Sequence, residues 1–183
     1  MPSRLLKAEA SALVIVDVQE RLMPAIAGGE ALLRRLETLA QSAARLAVPV
    51  LATEHYPAGL GRTLAGLEAF VPEADRFEKI SFAALQAPAF RARLEALGRR
   101  QIVVAGSEAH VCVLQTALSL AEAGYQTFIV TDATGSRDPA DAQAALARMA
   151  RAGIEAVTTE MVVFEWLERA DRPEFKALLA LIK

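Results

Sequence analysis

Residues 12–16 read ALVIV and residues 101–105 read QIVVA. Neither run alternates apolar with polar side chains, so a strand built from either has no face to give to water. Strands of that kind belong in a parallel sheet covered on both sides, where each neighbour is reached by a crossover, usually a helix. The rest of the chain supplies the crossovers. Helical spacing runs over 30–46, 88–97, 111–123, 139–152 and 159–170, with Gly98, Gly124 and Gly153 as stops and Asp138–Pro139 as a cap and first-turn proline. Asp171–Arg172–Pro173 opens a last helix. Further strands are predicted over 48–52, 76–78, 127–130 and 154–157, and TEHYPAGLGRT (53–63) reads as an exposed loop. The fold class is therefore α/β: a three-layer sandwich with a mostly parallel six-stranded sheet and helices on both faces, in a single domain over 1–183.

Composition narrows the function. The chain has 183 residues, 54% of them hydrophobic but only 5% aromatic, so the core is built from Ala, Leu and Val. A net charge of −2 gives no electrostatic case for nucleic acid or an anionic membrane. One cysteine allows no internal disulfide, which suits a reducing compartment. The stretch from Arg4 and Lys7 to Asp17 has too short an apolar run for a signal peptide, and no segment has the length of a membrane span. The expected setting is the cytoplasm and the expected partner a small-molecule substrate, with no nucleic acid and no membrane.

The single cysteine, Cys112, lies in the turn from the 101–105 strand into the following helix. Two readings stand for it. It is either a small buried hydrophobe or a thiol at a helix N-terminus, where unpaired N–H groups and the positive end of the macrodipole make the thiolate accessible near neutral pH. Asp17 follows the first strand and Lys79 the third, and each has an ordinary alternative as a turn residue or a solvated charge. The pattern says more than its members. In open parallel sheets, ligands bind beyond the carboxyl ends of the strands, where the strand order reverses, and all three residues fall at that edge. Together they supply a nucleophile, a base and a cation.

The segments ALVIVDVQERL, VPVLATEHYPAGLGRT, FEKISFAAL, VVAGSEAHVCVLQTALSLAEAGY and VTDATGSRD, in that order, resemble the isochorismatase-like cysteine hydrolase superfamily, which includes nicotinamidases and N-carbamoylsarcosine amidohydrolase. The likeness is greatest to its isochorismatase-domain-containing branch, and VTTEMVVFEWL with FKALLALIK extends it almost to the end of the chain. The resemblance implies Cys112 as nucleophile, Asp17 as general base and Lys79 holding both in place. It also implies a cis peptide at Ser107–Glu108 and an oxyanion hole formed by the backbone N–H groups of Glu108 and Cys112. Gln19, Leu22, His55, Tyr56, Phe82 and Glu108 are then expected to line the substrate pocket. A homo-oligomer is expected as well.

The sequence also departs from its relatives. Nicotinamidases hold a metal with an Asp-x-His pair and further histidines. Here the loop offers Glu54, His55 and Tyr56, and the only other histidine is His110, so no metal or other cofactor is expected. His110 is expected to orient the turn before the cysteine. Arg137 reads as a subunit contact or a cap, and Trp166 as core or interface. True isochorismatases lack the cysteine, which argues against enol-ether hydrolysis. The expected reaction is hydrolysis of an amide or related C–N bond through a Cys112 thioester. The alternative is a thiol-based redox or signalling protein, or a non-catalytic module on the same fold. A base beside the thiol serves hydrolysis and hinders a redox thiolate.

Overall fold

All six side chains of the first strand are buried, as its unbroken apolar run requires. The computed structural model describes residues 5–182, so Arg4 and the two ends of the predicted 1–183 domain lie outside the described residues. The strands are β1 (Ser11–Val16), β2 (Val50–His55), β3 (Arg76–Lys79), β4 (Gln101–Ser107), β5 (Gln126–Gly135) and β6 (Glu155–Val157). They lie in the order β3-β2-β1-β4-β5-β6, and every pairing between them is parallel. Among the described residues, the one antiparallel contact is an isolated bridge between Gln19 and Thr63. The order reverses between β1 and β4, which puts a crevice at their carboxyl ends.

The crossovers are α1 (Gly29–Arg45), the single turns α2 (Pro57–Leu60) and α3 (Ala65–Glu68), α4 (Pro88–Ala96), α5 (Leu114–Glu122) and α6 (Pro139–Arg151), and α7 (Thr159–Leu167) and α8 (Phe175–Ile182) follow the last strand. Strand alternation distributes the core between two faces. Leu13 and Ile15 of β1 join Leu36 and Leu39 of α1, Trp166 of α7 and Leu178 of α8 on one side. Val14 and Val16 join Phe90 of α4, Ala117 and Leu120 of α5 and Met149 of α6 on the other. Trp166 is fully buried and donates from Nε1 to Ser11 Oγ at 3.0 Å, so it belongs to the core. Asp138 caps α6 by accepting from the Ala140 N–H at 2.8 Å, as its place before Pro139 predicts.

Three elements run beyond their sequence boundaries. β2 continues through Thr53, Glu54 and His55, residues that read as loop because they are polar. β4 continues through Gly106 and Ser107, and β5 reaches ten residues by way of an irregularity in its pairing with β4. Gly106 is the point of closest approach at the crevice. Its φ is +139°, and a Cβ there would lie 2.2 Å from the Val16 carbonyl oxygen and 2.7 Å from the Val16 nitrogen. Both obstacles are backbone of the central strand and cannot swing away. Gly106→Ala is therefore expected to cost about 2–6 kcal/mol from overpacking and strain, read as a lowered denaturant midpoint.

Candidate active site

The register brings the strand ends together before any side chain is considered. Val16 pairs with Thr53 on one side and with Gly106 on the other, and His55 pairs with Lys79. The chain then leaves three of these strands through non-glycine residues in the left-handed region: Asp17 after β1 (φ 52°), Tyr56 after β2 (φ 40°) and Glu108 after β4 (φ 58°). Each such residue costs on the order of 1–3 kcal/mol, and this kind of strain gathers at functional sites. Around Asp17 the surroundings hold it in place. Its N–H donates to Thr53 O at 3.1 Å, and its own carbonyl accepts from Ser107 Oγ at 2.5 Å and from the Gln19 N–H at 3.1 Å.

The Asp17 carboxylate is buried and takes one hydrogen bond on each oxygen. Lys79 Nζ donates to Oδ2 at 2.8 Å and Thr53 Oγ1 donates to Oδ1 at 2.7 Å. Neither the lysine nor the aspartate side chain is exposed to solvent, and the ammonium also donates to Ser81 O at 3.2 Å. Cys112 lies in a single π-helical turn, Ala109–Val113, that leads into α5. Turns of this kind recur at functional positions. Asp17, Cys112 and His55 each place one donor atom within 4.8 Å of the other two, so a thiol, a carboxylate and an imidazole share one small volume.

That volume is a cavity of about 220 Å³. Asp17, Cys112, His55, Leu22, Phe82 and Glu108 line it, as expected from their loops, and Leu60, Val111 and Arg137 complete the lining. Phe82 stacks at a tilt on the His55 ring, with centroids 5.4 Å apart. Two expected lining residues are absent from it. Gln19 is fully buried and acts as a clamp: its side-chain oxygen accepts from the His55 N–H at 2.8 Å, and its Nε2 donates to His55 O at 3.0 Å and Gly61 O at 2.7 Å. Tyr56 is exposed, turned out by its left-handed backbone so that its ring lies over Gly59.

Two further expectations are corrected. The described residues contain no cis peptide, so the turn at Ser107–Glu108 is made by the left-handed Glu108 in a trans chain. The thiol is not poised as a thiolate either. Burial first, and then the charge of Asp17, push Cys112 up to about 12, and Lys79 offsets only part of this. The resting group is a thiol with the Asp17 carboxylate alongside. Alkylation by iodoacetamide should accordingly rise about tenfold per pH unit across the neutral range, because the thiolate fraction does. A plateau between pH 6 and 8 would show a thiolate already formed.

The remaining polar groups brace the rim. Glu54 is buried on β2; burial alone would raise its carboxyl. The Thr63 N–H and hydroxyl, both at 2.8 Å, and Arg62 at 3.0 Å outweigh that and hold it below the ordinary range. His55 is held below its usual value first by burial and then by the Lys79 charge, and its Nδ1 is buried without a hydrogen-bond partner. His110 does orient the turn: its Nδ1 shares a 2.9 Å hydrogen bond with Ser136 Oγ and lies 3.3 Å from Glu108 Oε2. Arg137 donates from Nε to Glu108 Oε1 at 2.7 Å, which makes it a rim residue.

Sequence reasoning missed Thr53, the second donor to the base. The signal was there in VLAT, where a β-branched residue continues the apolar strand, but its polar neighbours placed it in the loop. Leu60 and Val111 gave no signal apart from the fold.

Comparison with known proteins places this chain in a defined group. The Isochorismatase domain family matches residues 11–161. Isochorismatase domain-containing protein 1 of Salmo salar is 36% identical over 167 residues, which is 91% of this chain and 59% of that protein. The chain thus spans about three-fifths of that relative's length. A solved MAR1 ribonuclease from Caenorhabditis elegans is 32% identical with a TM-score of 0.91, covering 97% of this chain and 92% of the other. The ycaC gene product of Escherichia coli, an octameric hydrolase of unknown specificity, is 26% identical with a TM-score of 0.92, covering 100% of this chain and 91% of the other.

Proposed function

The chain belongs to the isochorismatase domain family, a family of hydrolases, and from that premise we propose that it cleaves an amide or related C–N bond of a small molecule through a Cys112 thioester. The observation that carries this reading is the solvent-free Lys79–Asp17 pair beside the only thiol of the chain, with Asp17 and Cys112 lining one cavity. As Sγ attacks the substrate carbonyl carbon, its proton passes to the Asp17 carboxylate. The tetrahedral oxyanion is received by the backbone N–H groups of Glu108 and Cys112, each such donor contributing roughly 2.7–4 kcal/mol in the transition state. Protonated Asp17 then gives its proton to the leaving nitrogen, the C–N bond breaks and the thioester remains. Water attacks the thioester, Asp17 takes the water proton, and collapse of the second tetrahedral intermediate returns that proton to the departing sulfur. Lys79 donates to Asp17 Oδ2 and orients it between these transfers.

The resting thiol favours this reading over a redox or signalling role, since a group held near 12 is a poor sensor while an adjacent base delivers its proton only during attack. The solved relative named a ribonuclease raises the question of a polynucleotide substrate. A cavity of about 220 Å³ lined by Leu22, Leu60, Phe82 and Val111, in a chain of net charge −2, suits a small molecule instead. We also propose a homo-oligomer: Tyr56, Ile80 and Phe82 expose apolar surface around the cavity, and the Escherichia coli relative is octameric. The test is a panel of amides, carbamoyl compounds and hydroxamic acids assayed for ammonia or amine release, with quenched samples weighed for an acyl adduct on Cys112. Turnover without any adduct on the cysteine under rapid quench would refute the thioester.

A further inference from the structure

We propose that Thr53 is a positioning residue for the proton carrier: its hydroxyl makes Oδ1 of Asp17 the oxygen that takes and returns the thiol proton. The assignment rests on the hydrolase reading above and separates the two carboxylate oxygens, which are not equivalent. Lys79 Nζ donates to Oδ2 at 2.8 Å and Thr53 Oγ1 donates to Oδ1 at 2.7 Å, in a place where Asp17 and Thr53 are both fully buried. An ammonium has three donors and no acceptor, and its charge-assisted bond draws the negative charge of the carboxylate towards Oδ2. A proton placed there would meet a cation. The hydroxyl is neutral and engages one lone pair of Oδ1, so Oδ1 keeps the higher proton affinity and has a lone pair left for the thiol proton. Thr53 can go on donating to the first lone pair whether or not the second carries that proton.

The placement of Thr53 suits this role. It lies within the sheet, paired with Val16 of β1 on one side and Phe77 of β3 on the other. Its carbonyl accepts from the Asp17 N–H at 3.1 Å, so the same residue holds Asp17 by main chain and by side chain. Asp17 needs such a hold, because its own backbone is left-handed, with φ at 52°. A β-branched side chain in a strand is stiff about χ1, which fixes the direction of the hydroxyl. Thr53 does not line the cavity, so it acts on the reaction only through Asp17. Its loss should therefore appear in the rate of the chemical step and not in the binding of substrate.

Thr53→Val keeps the branched shape and removes the hydroxyl; Thr53→Ser keeps the hydroxyl. Both are assayed for ammonia or amine release with the best compound of the panel, with circular dichroism to confirm the fold. Thr53→Val is expected to lower kcat about 10–100-fold, the scale of a catalytic group displaced by about 1 Å, and to leave KM within about twofold. Thr53→Ser should restore kcat to within about fivefold of wild type. Should Thr53→Val not fold, Thr53→Ala is read in its place with the same expected loss. A folded hydroxyl-free variant with kcat close to wild type, a loss confined to KM, or a Thr53→Ser protein as slow as Thr53→Val each overturns the assignment and leaves the hydrolase reading standing. A wild-type chain that releases nothing from any panel compound overturns the hydrolase reading, and the assignment falls with it.

Discussion

Cys112→Ala is expected to lower turnover by roughly 10⁴–10⁶-fold, the loss seen when a covalent nucleophile is removed from an otherwise intact site. The fold should hardly notice. The side chain is small, and Ala in its place keeps the apolar contacts of the face it shares with Val113 and Leu114; stability should move by about 1 kcal/mol. The two readouts together separate a chemical role from a structural one. They are measured as ammonia release with the best compound of the panel and as a urea midpoint. Turnover within tenfold of wild type in a folded Cys112→Ala protein would remove the sulfur from the reaction.

The second large effect falls on stability as well as activity. Lys79→Met leaves the Asp17 carboxylate buried with one of its two partners gone, and breaking a buried ion pair from one side costs about 3–5 kcal/mol. Turnover should fall with it by roughly 10³–10⁴-fold or more, because the base loses both its orientation and its countercharge. Adding Asp17→Asn to Lys79→Met removes the uncompensated charge. That double variant should recover most of the lost stability and none of the activity. The pairing is read as a double-mutant cycle in urea unfolding. A double variant no more stable than Lys79→Met alone would show that the lysine contributes through packing and not through the aspartate.

Asp17 and Cys112 were legible because each follows an apolar run, and Lys79 because it follows the short third strand; parallel sheets gather such ends at one edge. The sheet itself was legible for the same reason, since ALVIV and QIVVA have no face for water. What could not be read was polar structure satisfied over long range. Thr53 and Glu54 look like loop in sequence, yet they are strand residues whose polar atoms are satisfied by Asp17, Thr63 and Arg62. Nor could spacing reveal the state of the thiol. A helix start favours the thiolate, while burial and an acidic neighbour, known only in three dimensions, decide for the thiol. Gln19 sits one turn from the base, so its segment suggested a pocket residue, but its side chain turns inward to the backbone of residues 55 and 61.

That inward turn has a consequence for the loop that follows β2. Gln19 grips only peptide groups, and peptide groups are the same whatever side chains they carry. The grip itself is therefore indifferent to the side chain at Leu60 on α2, which forms part of the cavity wall, while the left-handed Tyr56 and the crowded Gly59 and Gly61 hold the shape of the segment around it. A substitution at Leu60 can reshape the cavity wall without loosening the hold on β2.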